Sequence, residues 1–316
     1  MKVDCKAIKE KKLKELRYLV KAYNEGTNLL KLEKDYVPAL NIVYDDSIET
    51  AQVQSYMKHK VNLGTQEGIR VRTIPLSEYR NNETTCMIND NPIIFQLPVA
   101  KENEEYVKSL YRNVSYYMDA DMLGSEFGSK LYYINDDDNV LLPATAQGVI
   151  DILEDIYNRD LKQLEGKDIC IIGRSKLVGL PLFFKLQSLN ATVTLLHSKS
   201  KDIYKKIDSS DIVITAVGKE NLINERNCPR LYDKDFVIID VAFFRDSQGK
   251  LSGDVQKGEW DCIYTSVPNG VGQLTVVNLL INAMKITIQQ IFNILDTMCL
   301  DSEPRPNCSL EEVLKW

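Results

Sequence analysis

Tyr56 and Lys60 stand four residues apart in a stretch, 49–67, whose apolar spacing predicts a helix closed by Gly68. That spacing puts both side chains on one helical face. An aromatic face can stack on a flat ring, and an ammonium beside it can move or polarise protons. Taken alone, a helical lysine is ordinarily a solvated one. Gln96 ends the apolar run of IIFQLP, which reads as a strand, and so stands at a strand end.

A second chemical signal begins at Gly173. ICIIG (169–173) reads as a strand, and GRSKLVGLP follows directly. A glycine after a strand lets the backbone turn tightly, and amides at the next helix start can hold phosphate. The string is not the generic GxGxxG, and on its residues alone an ordinary strand-to-helix turn fits it equally well. The next strand, ATVTLL (191–196), ends in His197, Ser198 and Lys199. NAD-preferring enzymes usually carry an acid there for the ribose hydroxyls, and none is present. Hydroxyls and cations at that point, with Arg174 and Ser175 in the turn, suit the 2′-phosphate of NADP better. Two further loops follow strand-like runs: Thr215–Gly218, with Ala216 and Gly218 as small residues, and 264–275, with Pro268, Gly270, Gly272 and Thr275. Small residues in the first would let a dinucleotide lie against backbone; the second, taken alone, reads as a connecting turn.

Other chemistry is thin. Seven cysteines are scattered without a CxxC pair, and the two histidines, His59 and His197, lie far apart, so no metal site is expected. The cysteines read as reduced thiols of a cytoplasmic protein. The acidic run 135–139 reads as a solvated turn. A formal charge of −6 argues against a nucleic-acid partner. No uninterrupted apolar run reaches the ~18 residues of a membrane span, and the charged N-terminal stretch lacks the apolar run of a secretion signal.

The elements that must position these residues follow from periodicity. Residues 6–24 read as an amphipathic helix, then ALNIVY as a buried strand, 49–67 as a helix, IRVRTIPL and IIFQLP as strands, and 102–112 as a polar helix. After 146–155, again helical, strand and helix alternate through 169–173, 178–189, 191–196, 200–207, 211–218 and 236–244. A long apolar helix covers 273–295. The chain of 316 residues is sized for about two domains. The fold class expected is α/β, with an N-terminal α/β domain and a Rossmann-type, doubly wound dinucleotide-binding domain.

In order and spacing, these segments resemble the bifunctional methylenetetrahydrofolate dehydrogenase/methenyltetrahydrofolate cyclohydrolase family over roughly 1–298. GRSKLVGLP stands for the family's G-R-S-x-x-V-G-x-P. ATVTLLHSKSKDI, SDIVITAVGK, IIDVAFF, LSGDV and TSVPNGVGQLT follow in the family's order. Tyr56 to Lys60 matches its Y-x-x-x-K, and IIFQLPV its I-x-V-Q-L-P. The family's K-D-V-D-G is Met118-Asp-Ala-Asp-Met122 here, and its P-G-G-V-G is Pro268-Asn-Gly-Val-Gly272. The usual Ser/Thr three positions before the tyrosine is Val53.

The resemblance implies a divergent bifunctional enzyme. It would oxidise 5,10-methylenetetrahydrofolate with NADP and hydrolyse the 5,10-methenyl product to 10-formyltetrahydrofolate. Tyr56, Lys60 and Gln96 would line the folate site, with the lysine essential for hydrolysis. Asp121 would grip the pterin, unless a two-residue slip selects Asp119. Pro268 and Gly272 would also touch the substrate. Gly173, Arg174, Ser175, His197, Ser198, Ala216, Gly218, Gly270 and Thr275 would hold the cofactor. The implied organisation is a folate-binding domain over 1–145 completed by the helix 273–298, a dinucleotide domain over 146–272, a tail over 299–316, and a homodimer. The altered folate-side motifs leave two alternatives, a monofunctional dehydrogenase and a non-catalytic binding paralogue.

Overall fold

The computed structural model describes residues 1–29, 37–48, 51–81, 91–134, 140–245 and 249–298. The acidic run 135–139, Cys86, Cys299, Cys308 and the tail lie outside them. The chain divides into two compact units. One comprises Met1–Lys11 and Ser129–Asn278, the other Lys12–Gly128 and Leu279–Trp316. The sequence expectation placed this boundary at 145/146 and kept the last helix whole in the first domain; contacts divide the chain at 128/129 and within that helix. They also place the first eleven residues with Ser129–Asn278.

The unit holding Lys12–Gly128 is built on a three-stranded parallel sheet, ordered β2-β1-β3. Its strands are β1 (Ala39–Tyr44), β2 (Arg70–Pro75) and β3 (Ile93–Gln96), with α1 (Cys5–Leu29) and α2 (Ala51–Gln66) flanking β1 in sequence. β1 is buried along its length except at Tyr44. It is the central strand, and both neighbours pair with it in parallel. The strand expected through IRVRTIPL stops at Pro75, because Leu76 opens a short helix, α3 (Leu76–Asn81). Its Leu76 and Tyr79 join Val43, Phe95, Val107 and Leu110 in one apolar cluster. The last two come from α4 (Glu104–Asn113), preceded by a 3₁₀ turn at Lys101–Asn103 where one continuous helix was expected. Residues 118–120 then pair with Ile93 on β3, the Ile93 N–H donating to the Met118 carbonyl at 2.7 Å.

The other unit carries five parallel strands ordered β10-β7-β6-β4-β5: β4 (Asp168–Ile172), β5 (Thr192–Leu196), β6 (Ile212–Thr215), β7 (Val237–Asp240) and β10 (Ile263–Tyr264). α7 (Gly179–Ser188) follows β4 and α8 (Ile203–Asp208) follows β5, after short helices α5 (Ser125–Lys130) and α6 (Ala144–Ile156). Strands buried on both faces read as unbroken apolar runs, which is how ICII, IVIT and VIID read. One face, with Cys170, Ile172, Val213 and Ile238, packs on Ile207, Leu231, Phe236 and Trp260. The alternate residues Ile169, Ile171, Ile212, Ile214 and Ile239 are equally buried.

The run FVIIDVAFF, expected as one strand, breaks after Asp240. The Asp240 carboxylate accepts the N–H groups of Ala242 (3.0 Å) and Val255 (2.9 Å), which turns the chain out of the sheet. Phe244–Arg245 (β8) then pairs antiparallel with Leu251–Ser252 (β9). The helix expected from residue 200 begins only at Ile203, after Asp202 at φ 54°. The last helix, α9 (Gly272–Met298), is long and apolar enough over Gly272–Phe292 to cross a membrane by length and composition, and 67% of that stretch is buried. The Leu97–Pro98 and Val267–Pro268 peptide bonds are cis.

Candidate active site

In the unit with the three-stranded sheet, Tyr56, Lys60, Gln96 and Asp121 come together. Lys60 is only 5% exposed, and its Nζ donates to Gln96 Oε1 at 2.7 Å. Gln96 stands at the C-terminal end of β3, and its Nε2 donates to the Leu97 carbonyl, so the amide is held from both sides. The ammonium sits 5.3 Å from the centre of the Tyr56 ring, and Tyr56 as a residue is partly exposed, at 36%. Burial pushes the Lys60 pKa below the ordinary lysine value, and the Asp121 carboxylate opposes the shift. Asp121 in turn is raised by burial, against the pull of Lys60 and a hydrogen bond from Tyr111. An amine that can lose its proton and a carboxyl that can keep one are thereby held in one small group.

Asp119, the other acid of the Met118–Met122 segment, does different work. It is 1% exposed, and its Oδ2 accepts the N–H groups of Leu123 (2.7 Å) and Gly124 (2.6 Å). This closes the turn through Met122, at φ 54°, that follows Asp121. Burial is the largest cause lifting the Asp119 pKa to about 7, with the Asp121 charge adding to it. Asp119 is thus taken up by backbone, and Asp121 is the acid aligned with Lys60. On the neighbouring strand, Asp45 accepts from Ala100 N at 2.8 Å and from Asn103 Nδ2 at 2.9 Å, tying the loop after Gln96 to the end of β1.

In the other unit the expected cofactor residues line up along the carboxyl ends of the parallel strands. Ile172 is level with Leu196 on one side and Thr215 on the other, and Thr215 with Asp240. The strand order reverses at β4, which is where ligands settle in open α/β sheets. Gly173 has φ 119°, and a Cβ there would stand 2.6 Å from the Ala216 carbonyl oxygen. A Cβ on Gly179 would stand 2.0 Å from the Gly173 carbonyl oxygen. Only glycine at both positions lets the β4 turn close against the start of α7 and the β6 loop. Ser175 Oγ accepts the Val178 N–H at 3.2 Å, capping the turn.

Arg174 and Ser198 are exposed at the ends of neighbouring strands β4 and β5. Arg174 has no hydrogen-bond or ion-pair partner among the described residues. His197 has a turn-forming part: its Nδ1 accepts from Lys199 N at 3.1 Å and its N–H donates to Ser200 Oγ at 2.9 Å, which presents Ser198 outward. In the loop after β10, Asn269 adopts φ 77°, as the Asn in place of the family's Gly requires. Gly270 is buried, with space for a Cβ only 2.5 Å from the Ser266 carbonyl oxygen, whereas nothing crowds Gly272. Pro268 is exposed, and Thr275 Oγ1 lies 3.4 Å from Thr145 Oγ1.

Sequence reasoning missed the acids that build these loops. Asp254, fully buried, accepts from Thr215 Oγ1 (2.6 Å), Val217 N (2.8 Å) and Lys219 N (2.6 Å), and so shapes the whole Thr215–Gly218 loop. The signal was present in the string LSGDV, an acid where a strand would want an apolar residue. Tyr111 carried no such signal, because its partners are distant in sequence.

The NAD(P)-binding-domain model of the tetrahydrofolate dehydrogenase/cyclohydrolase family matches residues 143–291. The chain is also 32% identical over 278 residues to the bifunctional protein FolD of Wolbachia sp. subsp. Drosophila simulans (strain wRi), an alignment spanning 84% of this chain and 90% of that protein. The chain belongs to this family. Among solved structures, the bifunctional 5,10-methylenetetrahydrofolate dehydrogenase/cyclohydrolase from Thermoplasma acidophilum superposes with a TM-score of 0.74 at 28% identity, covering 91% of this chain and 98% of that one. The Trypanosoma brucei enzyme complexed with NADP cofactor and inhibitor gives 0.74 at 25% identity, covering 92% and 98%. Family membership agrees with the resemblance read from the motifs.

Proposed function

We propose that this protein is a bifunctional one-carbon folate enzyme, an NADP-dependent 5,10-methylenetetrahydrofolate dehydrogenase and 5,10-methenyltetrahydrofolate cyclohydrolase. The observation that carries the reading is the buried Lys60–Gln96 pair with its depressed lysine, in a chain of this family whose Gly173 and Gly179 let the dinucleotide-side loops pack backbone against backbone.

NADP, when bound, supplies the hydride acceptor for the methylene carbon of the substrate. The residues that would hold it are Gly173, Arg174, Ser175, Ser198, Ala216, Gly218, Gly270 and Thr275, with His197 shaping the turn. Arg174 and Ser198 offer a guanidinium and a hydroxyl to a 2′-phosphate. The Gly173 N–H is spent on the Leu196 carbonyl, so amides further along the turn would hold the diphosphate. On the folate side, Asp121 accepts from N–H donors of the pterin and Tyr56 stacks on its ring.

Hydrolysis of the methenyl cation adds water to the one-carbon centre and then breaks that carbon's bond to N5; one water proton ends on N5 and one is released overall. Lys60 in its neutral form takes that proton from the attacking water. Gln96 fixes the direction of the amine, and burial makes its neutral form easier to reach than in a solvated lysine. The protein works in the cytoplasm as a homodimer, with folates as its partners and neither nucleic acid nor membrane involved. Its free buried thiols Cys5, Cys170, Cys228 and Cys262 support a reducing compartment.

Two assays on the purified protein test the reading: NADP⁺ reduction with 5,10-methylenetetrahydrofolate, and loss of the methenyl absorbance without cofactor. Both should be positive. Reduction without hydrolysis would leave a monofunctional dehydrogenase, and neither activity would leave a binding paralogue.

A further inference from the structure

Tyr111 lies on α4, away in sequence from every motif of the site, yet its hydroxyl reaches into the folate-side group. It donates to the Phe95 carbonyl at 2.8 Å and stands 3.3 Å from Asp121 Oδ2. Phe95 directly precedes Gln96 on β3, and Gln96 accepts from Lys60. One hydroxyl therefore touches both the strand that carries the lysine's partner and the acid assigned to the pterin. The ring is held independently of the hydroxyl: it packs edge-to-face on Phe95 with centroids 5.1 Å apart, and Phe95 does the same with Tyr79 at 5.7 Å.

We propose that Tyr111 is a positioning residue for folate recognition, which docks the Asp121 carboxylate against β3 and keeps it in register with the Lys60–Gln96 pair. This rests on the assignment of Asp121 to the pterin made above.

The hydroxyl has one proton, which it shares between two acceptors, the Phe95 carbonyl at the shorter distance and Asp121 Oδ2 at the longer one. The longer, shared donation to Asp121 is the weaker of the two, and it still favours the ionised carboxyl. Three ionisable groups face Asp121: Lys60 from α2, Tyr111 from α4 and Asp119 from its own loop. Lys60 and the Tyr111 hydroxyl favour the ionised carboxyl, and burial and Asp119 oppose it. Removing the hydroxyl takes away one of the two supports. The carboxyl then loses its anchor on β3 and ionises at higher pH.

The test is Tyr111→Phe, which keeps the ring and its packing. The expected result is a rise of about five- to twentyfold in KM for 5,10-methylenetetrahydrofolate, as befits loss of one hydrogen bond to a charged group. KM for NADP⁺ and kcat should stay within about twofold, and the acidic limb of kcat/KM should move up by about half to one pH unit. In an Asp121→Asn background the same substitution should change KM by less than about twofold, since Tyr111 would have nothing left to position.

A KM for Tyr111→Phe equal to that of the parent, while Asp121→Asn raises it, overturns the inference and leaves the site reading intact. An undiminished Tyr111→Phe effect in the Asp121→Asn background also overturns it, since the tyrosine would then act by another route. If Asp121→Asn itself leaves KM unchanged, the assignment of Asp121 falls and the inference with it.

Discussion

In the proposed function, hydrolysis turns on Lys60. Its burial and its strong partner, Gln96, set it apart from a solvated helical lysine. Lys60→Met, which keeps the bulk and removes the amine, should lower hydrolysis of 5,10-methenyltetrahydrofolate by roughly 10²–10⁴-fold, the usual contribution of a placed acid–base group. Dehydrogenase activity should survive, since hydride transfer needs placement and no side-chain proton. In the parent protein, hydrolysis should rise with pH and level off below the ~10.4 of a free lysine, because the depressed pKa of Lys60 yields the neutral amine earlier. A rate that keeps climbing to that value would place the base elsewhere. On the dinucleotide side, Arg174 offers an unengaged guanidinium. Losing one charged hydrogen bond costs ~1.5–3 kcal/mol, so Arg174→Ala should erase a preference of about ten- to a hundredfold for NADP⁺ over NAD⁺, with NAD⁺ nearly unaffected. Initial rates with both cofactors decide this, and the parent must show that preference first.

At the scale of elements, the dinucleotide site is a set of loops rather than a set of side chains. The β4 turn closes because Gly173 and Gly179 let three backbone segments meet, and the β6 loop keeps its shape because Asp254 takes three donors at once. Gly173→Ala places a methyl 2.6 Å from the Ala216 carbonyl oxygen at φ 119°, so the turn and the β6 loop must part. It should destabilise the protein by about 1–3 kcal/mol and weaken NADP⁺ binding more than tenfold, as read by thermal unfolding and cofactor titration. Asp254→Asn turns an acceptor-only carboxylate into an amide whose NH₂ must face one of three donors. A cost of about 1–3 kcal/mol follows. Because the loop serves the cofactor, KM for NADP⁺ should rise while KM for the folate stays level.

At the scale of the whole molecule, each unit carries one buried carboxyl raised to about 7, Asp119 in one and Asp240 in the other. Burial is the leading cause in both. An acid that titrates near 7 when folded and near 3.9 when unfolded holds more protons in the folded state between those values. Stability is therefore fullest below about pH 4 as far as these two groups are concerned, and is lost as pH rises toward 7. Other carboxylates run the opposite way: Asp45, held low by Ser47, Asn103 and Ala100, stabilises only once ionised. Asp119→Asn keeps an oxygen for Leu123 and Gly124 and removes the charge. Its unfolding midpoint relative to the parent should improve steadily from pH 5 to pH 8, by an amount on the order of a few kcal/mol. A difference independent of pH would show that Asp119 is not the group that titrates.

What the sequence alone determined is whatever depends on residues close together in the chain. Apolar runs such as ICII and VIID are readable because strands buried on both faces must be apolar throughout, and the glycines of GRSKLVG because a tight turn tolerates nothing else. The Tyr56–Lys60 face follows from helical spacing, and it led to the site. Tertiary structure decided what depends on partners far apart. Lys60 reads as a solvated lysine until Gln96, 36 residues away, captures it. Asp119 and Asp121 are indistinguishable in the chain; backbone N–H groups claim the first, and Lys60 faces the second. Asp240 ends a strand that periodicity would have continued, because its carboxylate finds Ala242 and Val255 only once the loops are folded. Periodicity reports which side chains leave water, whereas a buried charge or hydroxyl is placed by the single partner that repays its desolvation, and that partner is known only when the chain has closed on itself.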